Sequence, residues 1–480
     1  MSELVPPTIT RANSRETPSA RTVPYLFVVL DCEHPYAAPS RHSLAGLDDV
    51  VIGRGTVRSV EREGGNAAGH LDVRLPDHWV SGTHARIVHV FGQWVLEDLQ
   101  SKNGTSVGGR PIAKQALVDG DVIEIGHTLL LFKLGATLDA FGPPDVAADA
   151  LEAVATPRLS TLSPGLSLVF ATIPRIAASP VSVVVGGETG TGKEVVARAV
   201  HELSRRTGAF VAVNCGAIPE NLIASELFGH RRGSFSGAVD DSLGLVRAAD
   251  GGTLFLDEIG DLSTTSQAAF LRVLQEREVM PVGGLRAVPV DLRLIAATHR
   301  DLGDLIDSEK FRPDLLARIS GFTLTMPPLR TRREDIGLLI ATILSRLDAA
   351  RFAGVTFETD AARALLQYDW PLNIRELEKC VGAAAVLAGG RSVLRTHLPE
   401  AVQAAAVQPI VAKDRQADED VEPDDARLSD ADRRLRAELV RLLAEHSGNV
   451  SAVAREMGKA RMQIQRWMKR FRLGRDETLG

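Results

Sequence analysis

VSVVVGGETGTGKE, residues 181–194, decides how the middle of this chain is built. The run VSVVV is β-branched and apolar, the composition of a strand covered on both faces. The following KEVVARAVHELSRR is a helical segment. Between them Gly187, Gly190, Gly192 and Lys193 match G-x-x-x-x-G-K in the strand–loop–helix setting that motif requires. Glycines let backbone N–H groups turn toward phosphate oxygens, the helix N-terminus adds a positive dipole end, and Lys193 reaches the terminal phosphates. The loop residues Gly187, Glu188, Thr189, Gly190, Thr191, Gly192, Lys193 and Glu194 are therefore the expected ATP-binding set. A Ser or Thr that touches magnesium normally follows the Lys, and Glu194 stands there instead. About sixty residues on, GGTLFLDEIG ends an apolar strand on Asp257 and Glu258. Asp257 is suited to hold Mg2+, directly or through water, and the second carboxylate to orient an attacking water.

Outward from this loop, FVAVN, GTLFLD and VDLRLIAAT are further strand-like runs separated by helical segments such as TSQAAFLRVLQER. Strands alternating with helices predict a parallel α/β domain over residues 159–330, and residues 331–406 read as helical throughout. Before it, residues 25–136 hold short apolar runs (YLFVVL, DVVIG, ARIVHV, QWVLEDL, DVIEIG, TLLLF) between turn signals, the pattern of a β-sandwich. Residues 137–158, rich in Ala, Pro and Asp, read as a linker, and residues 1–24 as a disordered N-terminus. Residues 407–430 form an acidic linker, residues 431–474 short helices, and residues 475–480 a tail.

The 480 residues suggest about three domains. A net charge of −6 excludes a chain that is basic throughout but leaves room for one local basic module. Cys32, Cys215 and Cys380 stand far apart without metal spacing, as in a reducing compartment. The N-terminus lacks an apolar leader core, and nowhere do 18 apolar residues run together. These features predict a cytoplasmic protein without a membrane partner.

In the C-terminal module Leu435, Leu439, Leu442 and Leu443 recur at helical spacing, and Gly458 supplies a turn. From Lys459 to Arg475 the chain carries seven basic residues and no acid. That is an electrostatic footprint for DNA phosphates. Arg461, Gln463, Gln465, Arg466, Lys469 and Arg470 are the candidate contacts to double-stranded DNA, whereas Trp467 reads as core. In HRRGSFSGA, residues 230–238, Phe235 sits among glycines and serines with no apolar neighbour, so a contact to a partner is one use for it.

GETGTGKE, NCGAIPENLIASELFGH, GSFSGA, GGTLFLDEIGDL, LRLIAATHRDL, FRPDLLARI, PPLRTRREDI and WPLNIRELE occur in one order over about 190 residues. Together they resemble the AAA+ domain of bacterial enhancer-binding proteins, which activate sigma-54 RNA polymerase. The resemblance implies Asp257 and Glu258 as Walker B, with Asn214 restraining the catalytic Glu. It implies Thr298 and His299 as sensor I, Arg312 and Arg318 as arginine fingers given to a neighbouring subunit, and Arg375 as sensor II. It also implies a homo-oligomer, from dimer to hexamer. Gly233, Ser234, Phe235, Ser236, Gly237 and Ala238 match the GAFTGA loop that touches sigma-54. Arg231 stands where an acid is usual there, and Leu372 where the lid motif has Gly.

VVIGRG, VSGTHARI and LQSKNGTSVGG resemble the forkhead-associated (FHA) domain, which binds phosphothreonine. The resemblance implies phosphate contacts from Arg54 and Ser81, a backbone contact from Asn103, added charge from Lys102 and a bracing role for His84. The ligand is then a phosphothreonine protein or this chain's own N-terminus, at Thr8, Thr17 or Thr22. The last fifty residues resemble a Fis-type helix-turn-helix. The fold expected is multidomain: an FHA β-sandwich, an α/β AAA+ P-loop ATPase with helical lid, and an all-α helix-turn-helix. The function expected is an ATP-dependent transcriptional activator that remodels sigma-54 polymerase under phosphothreonine control. Two rivals stay open: a DNA-binding AAA+ regulator that never engages sigma-54, and an FHA scaffold with a vestigial ATPase.

Overall fold

The computed structural model describes residues 22–63, 69–137, 143–147, 159–234 and 239–405, with scattered positions between 438 and 459. The first strands are β1 (Thr22–Asp31), β2 (Ser40–Ser43), β3 (Leu47–Arg54), β4 (Ser59–Glu63), β5 (Gly69–Leu75), β6 (Ala85–Val90) and β7 (Gln93–Asp98). They continue with β8 (Thr105–Val107), β9 (Arg110–Ile112), β10 (Lys114–Ala116), β11 (Val122–Ile125), β12 (Thr128–Thr137) and β13 (Asp145–Ala147). Among the described residues they form two sheets, ordered β13-β2-β1-β12-β11-β8-β9 and β10-β7-β6-β3-β5-β4. Leu26, Val28, Ile52, Leu71, Ile87, Leu96, Leu130 and Phe132 fill the space between them. This is the sandwich that the alternation of short strands and turns predicts.

Two boundaries differ from the sequence reading. Strand β1 starts at Thr22, which pairs with Thr137, so Thr22 is sheet rather than tail. Residues 145–147, expected as linker, add β13 to the edge at β2, with Asp145 opposite His42. The clasp there is polar: His42 Nδ1 meets Asp145 Oδ1 at 2.9 Å and Arg62 Nε donates to Asp145 Oδ2 at 2.7 Å. Burial pushes the Asp145 carboxyl up, but hydrogen bonds from Arg62 and His42 outweigh it and hold the pKa at about 2. Composition alone hides such a strand, because ion pairs rather than apolar residues fix it.

The central part runs α1 (Pro164–Ala177), β14 (Val183–Gly186), α2 (Lys193–Leu203), β15 (Phe210–Asn214), α3 (Glu220–Phe228), α4 (Leu245–Ala248), β16 (Thr253–Asp257) and α5 (Thr264–Glu276). It continues with β17 (Glu278–Val279), β18 (Val288–Pro289), β19 (Arg293–Thr298), α6 (Leu302–Asp307), α7 (Pro313–Ile319) and β20 (Phe322–Thr325). The parallel sheet has the order β15-β16-β19-β14-β20. Separate apolar clusters cover its two faces, as expected from strands without alternation. The lid holds α8 (Ile336–Ser345), α9 (Ala349–Phe352), α10 (Thr359–Gln367), α11 (Asn373–Leu387) and α12 (Glu400–Ala405). It is not helical throughout, because Thr356–Phe357 and Ser392–Val393 pair as two short parallel strands.

The sandwich and the lid share a core. Successive residues of β1 point to opposite faces, so Leu26 and Val28 enter the sandwich while Tyr25, Phe27 and Val29 pack on lid residues such as Ile336, Ile340 and Leu365. Leu129 and Leu131 of β12 do the same. Helix α8 approaches β1 so closely that a Cβ on Gly337 would overlap the carbonyl oxygen of Val29. Phe357 N donates to Cys32 O at 2.8 Å, and Tyr36 Oη donates to Phe352 O at 2.9 Å.

The C-terminal unit, residues 411–480, is separate. Among its described residues Leu439, Leu442, Leu443 and Val453 are buried, the stripe expected of amphipathic helices. Leu435 and residues 460–480, with all six candidate DNA contacts, lie outside the described residues, as do residues 1–21 with Thr8 and Thr17.

Candidate functional site

The loop between β14 and α2 adopts the backbone its glycines permit. Gly187, Gly190 and Gly192 have φ of 140°, 79° and 99°. A Cβ on Gly190 would overlap the carbonyl of Leu372, so the lid presses directly on this loop. Lys193 is 7 % exposed, and its Nζ donates to the carbonyls of Gly187 at 2.8 Å and Glu188 at 3.2 Å. Burial lowers its pKa, against the pull of Glu258 and Asp257. A buried ammonium curled onto loop carbonyls is a cation placed for phosphate oxygens. Glu194 turns outward to Arg198 at 2.6 Å, so its carboxylate lies on the helix surface and not in the loop.

Asp257 ends β16 as Thr298 ends β19, on strands adjacent in the sheet. Burial and the neighbouring Glu258 raise the Asp257 pKa. Two carboxylates beside Lys193 form an oxygen donor set that suits Mg2+ and gains from its charge. Glu258 Oε2 lies 2.6 Å from His299 Nδ1, while its Oε1 is 3.9 Å from Lys193 Nζ. The structure thus pairs Glu258 with His299, whereas Asn214, the expected restraint, uses its Oδ1 to accept from Gly216 N at 3.0 Å. Thr298 Oγ1 accepts from Arg300 N at 3.0 Å. Arg312 pairs with Asp314 at 2.7 Å and Arg318 donates to Leu274 O at 2.9 Å. Arg375 is exposed on α11 beside Gly190.

The sequence reading missed the residues that tie lid to loop. Asn373, fully buried, donates through Nδ2 to Thr189 O at 2.9 Å and Glu188 Oε2 at 3.2 Å, and accepts from Leu329 N at 2.8 Å. Arg330 forms a two-pronged pair with Glu188 at 2.6 and 2.8 Å, which holds that carboxyl at about 2. Arg332 donates to Thr191 O at 2.8 Å. The signal was present in PPLRTRREDI, where one cluster of arginines faces a loop of carbonyls. Leu372, where glycine is usual, has φ −102°, a conformation open to any side chain.

The GSFSGA segment is described only through Gly233 and Ser234; Phe235, Ser236, Gly237 and Ala238 lie outside. Its neck is well defined. His230 and Ser242 exchange backbone hydrogen bonds, and Arg231 N donates to Val282 O at 3.1 Å. Arg231 pairs with Asp241, so the unusual basic residue has an acidic partner across the neck.

At the sandwich loops Arg54 is exposed at the end of β3, its N–H donating to Ser81 O at 2.9 Å. Ser81 Oγ accepts from Lys102 N at 3.1 Å, and Asn103 Nδ2 donates to Trp79 O at 2.7 Å. His84 Nδ1 accepts from Ser81 N, so Nε2 carries the proton it donates to Gly104 O at 3.1 Å. The ring thereby ties the loop at Ser81 to the loop at Gly104. Trp79, half-exposed and stacked on His127 at 4.9 Å, was not singled out by sequence.

A phosphate loop, paired Walker B carboxylates, a sensor strand and a lid define an AAA+ ATPase domain. The sigma-54 interaction domain family matches residues 159–325, the AAA+ ATPase lid domain residues 330–414, the FHA domain residues 50–126 and the homeodomain-like domain residues 430–479. The transcriptional activator HyfR of Escherichia coli K12 is 49 % identical over 225 residues, 46 % of this chain and 33 % of HyfR. The hydrogenase transcriptional regulatory protein HoxA of Cupriavidus necator is 42 % identical over 303 residues, 62 % of each chain. The crystal structure of Brucella abortus NtrX with ATP is 30 % identical, with a TM-score of 0.46 over 65 % of this chain and 68 % of that one. The chain belongs to the sigma-54-dependent transcriptional regulators, with an FHA domain ahead of the ATPase and a homeodomain-like domain after it. It spans between a third and two thirds of the two curated relatives named here. Among the described residues no helix is long and apolar enough to cross a membrane.

Proposed function

We propose that this chain is an ATP-driven activator of sigma-54 RNA polymerase. In this reading it is held on double-stranded DNA by its C-terminal basic helices and governed by phosphothreonine at the FHA domain. The observation that carries the reading is one short path along the chain, hydrogen-bonded at both ends. The hairpin β17–β18 bonds the neck of the GSFSGA loop at Val282, then runs through β19 to Thr298 and to His299, which holds Glu258. A change at the nucleotide end of β19 thereby bears on the neck of the loop whose sequence contains Phe235.

Lys193 and the loop amides hold the phosphates, and Asp257 would hold the magnesium of Mg–ATP, which neutralises phosphate charge. Glu258 orients the attacking water once His299 releases it. Arg312 and Arg318 reach the developing charge in the next subunit of a homo-oligomer, an effect worth roughly 10³–10⁵ in rate for such fingers. Arg375 carries the lid's response to the phosphates.

Mixing variants tests this arrangement. Lys193→Ala and Arg318→Ala should each abolish ATP turnover alone, and an equimolar mixture should recover part of it, because some sites then pair an intact loop with an intact arginine. Full turnover by Arg318→Ala alone would contradict the shared site.

A further inference from the structure

The turn between β8 and β9 joins two sites. Its near end follows Asn103, and Thr105 on β8 is buried and bonded to Asp98 at 2.6 Å. Its far end is Gly108-Gly109, with φ of 56° and 79°. A Cβ on Gly109 would overlap the guanidinium of Arg363 in α10, and one on Gly108 would meet Gln367. Arg363 Nε lies 2.8 Å from Glu124 of β11, the strand paired with β8, and both side chains are largely buried. The end of α10 is gripped in turn by Arg333, which donates to Gln367 O at 3.2 Å and to Asp369 at 2.8 Å. Arg333 belongs to the segment whose Arg330 and Arg332 hold the phosphate loop at Glu188 and Thr191. A second strut runs parallel: Lys133 of β12 donates to Thr331 O at 2.8 Å and meets Glu334, which is 1 % exposed, at 2.9 Å.

We propose that the FHA domain is a rigid extension of the ATPase lid, so that peptide bound at Arg54, Ser81 and Asn103 and nucleotide bound at Lys193 change each other's affinity through the Gly108-Gly109 turn and Arg363. Arg363 and Lys133 are positioning residues. They touch neither ligand; Lys133 bridges the sandwich to the segment that grips the phosphate loop, and Arg363 bridges it to α10, whose end Arg333 of that segment holds. A tethered sensor on a flexible linker would need no such bridges, and buried ion pairs across a domain contact favour one fixed arrangement over many. The lid's position over the loop is the element that both ligands bias, and linkage requires the effect to be reciprocal. This inference rests on the phosphothreonine reading of the sandwich loops.

The test uses the full chain and the best binder from a library of peptides with a fixed phosphothreonine. Peptide affinity is measured by titration calorimetry with and without saturating ADP, then ADP affinity with and without peptide. Wild type should show one and the same factor in both directions, about 5-fold or more. In Arg363→Met and in Lys133→Met that factor should shrink toward one, while each ligand alone binds within about 3-fold of wild type. Arg363→Lys should recover part of it. Equal peptide affinity with and without ADP in wild type overturns the coupling but leaves the phosphothreonine site standing. Coupling that persists in both Met variants overturns the route. No phosphopeptide bound by a wild type that still binds ADP overturns the phosphothreonine reading itself.

Discussion

Asn373 has a left-handed backbone (φ 55°) at full burial and spends its amide on three backbone or carboxylate partners. Truncation would leave Leu329 N–H buried without an acceptor, a cost of about 1–3 kcal/mol. Asn373→Ala should therefore lower unfolding stability by that amount and weaken ADP binding, since Glu188 and Thr189 lose their lid contact; unchanged ADP affinity would detach Asn373 from the site. His42, sealed against Ser40 and Asp145, makes a pH prediction. Burial lowers its pKa below the usual 6.5 despite the pull of Asp145. The unfolded chain then takes up a proton that the folded one refuses, so the imidazole costs stability as pH falls from about 6.5 toward its folded value. Wild type should lose melting temperature more steeply than His42→Gln between pH 7 and 5.5. Parallel slopes in the two proteins would count against this account. At this scale the loop glycines, Lys193, Asp257 and Glu258 were legible because a local motif fixes them. Asn373, Arg330 and Arg332 were not: the arginine cluster in PPLRTRREDI was visible, but the phosphate-loop partners of all three lie well over a hundred residues away, so nothing local names the contact.

Strand β1 shows what a sequence can carry of a long-range contact. One face of an antiparallel sandwich strand usually meets water and alternates in polarity. YLFVVL does not alternate, and TLLLF in β12 is equally unbroken, because the lid covers the outer face of both. That absence of polar residues was the available cue, yet it names no partner. Ion pairs such as Lys133–Glu334 give no cue at all. Helix α8 tests the fit. Replacing Gly337 by Ala should gain about 1 kcal/mol of helix propensity. It should also push a methyl into the Val29 carbonyl, and overpacking costs about 1–3 kcal/mol, more where backbone cannot yield. The clash wins, so denaturant unfolding of Gly337→Ala should show net destabilisation. A stabilised variant would mean that α8 does not lie on β1. The strand β13 was hidden for the opposite reason, since its three residues are held by Arg62 and His42 rather than by apolar burial.

Across the whole molecule the account joins three ligand sites to one motor. In the proposed function the FHA loops read phosphate, the lid relays their state to the phosphate loop, and β19 with the β17–β18 hairpin bears on the GSFSGA neck. Domain order was legible from collinear motifs, whereas the fusion of sandwich to lid emerges only from the shared core. The central claim is that nucleotide turnover is spent on a contact between Phe235 and sigma-54. The measurement that tests it most directly is trapping of purified protein on sigma-54 with ADP and a metal fluoride, for wild type and Phe235→Ala. A complex formed by wild type and lost in Phe235→Ala, with ATP turnover equal in the two, is the predicted result. No complex from a wild type that hydrolyses ATP would contradict the claim and leave a DNA-bound ATPase with another target.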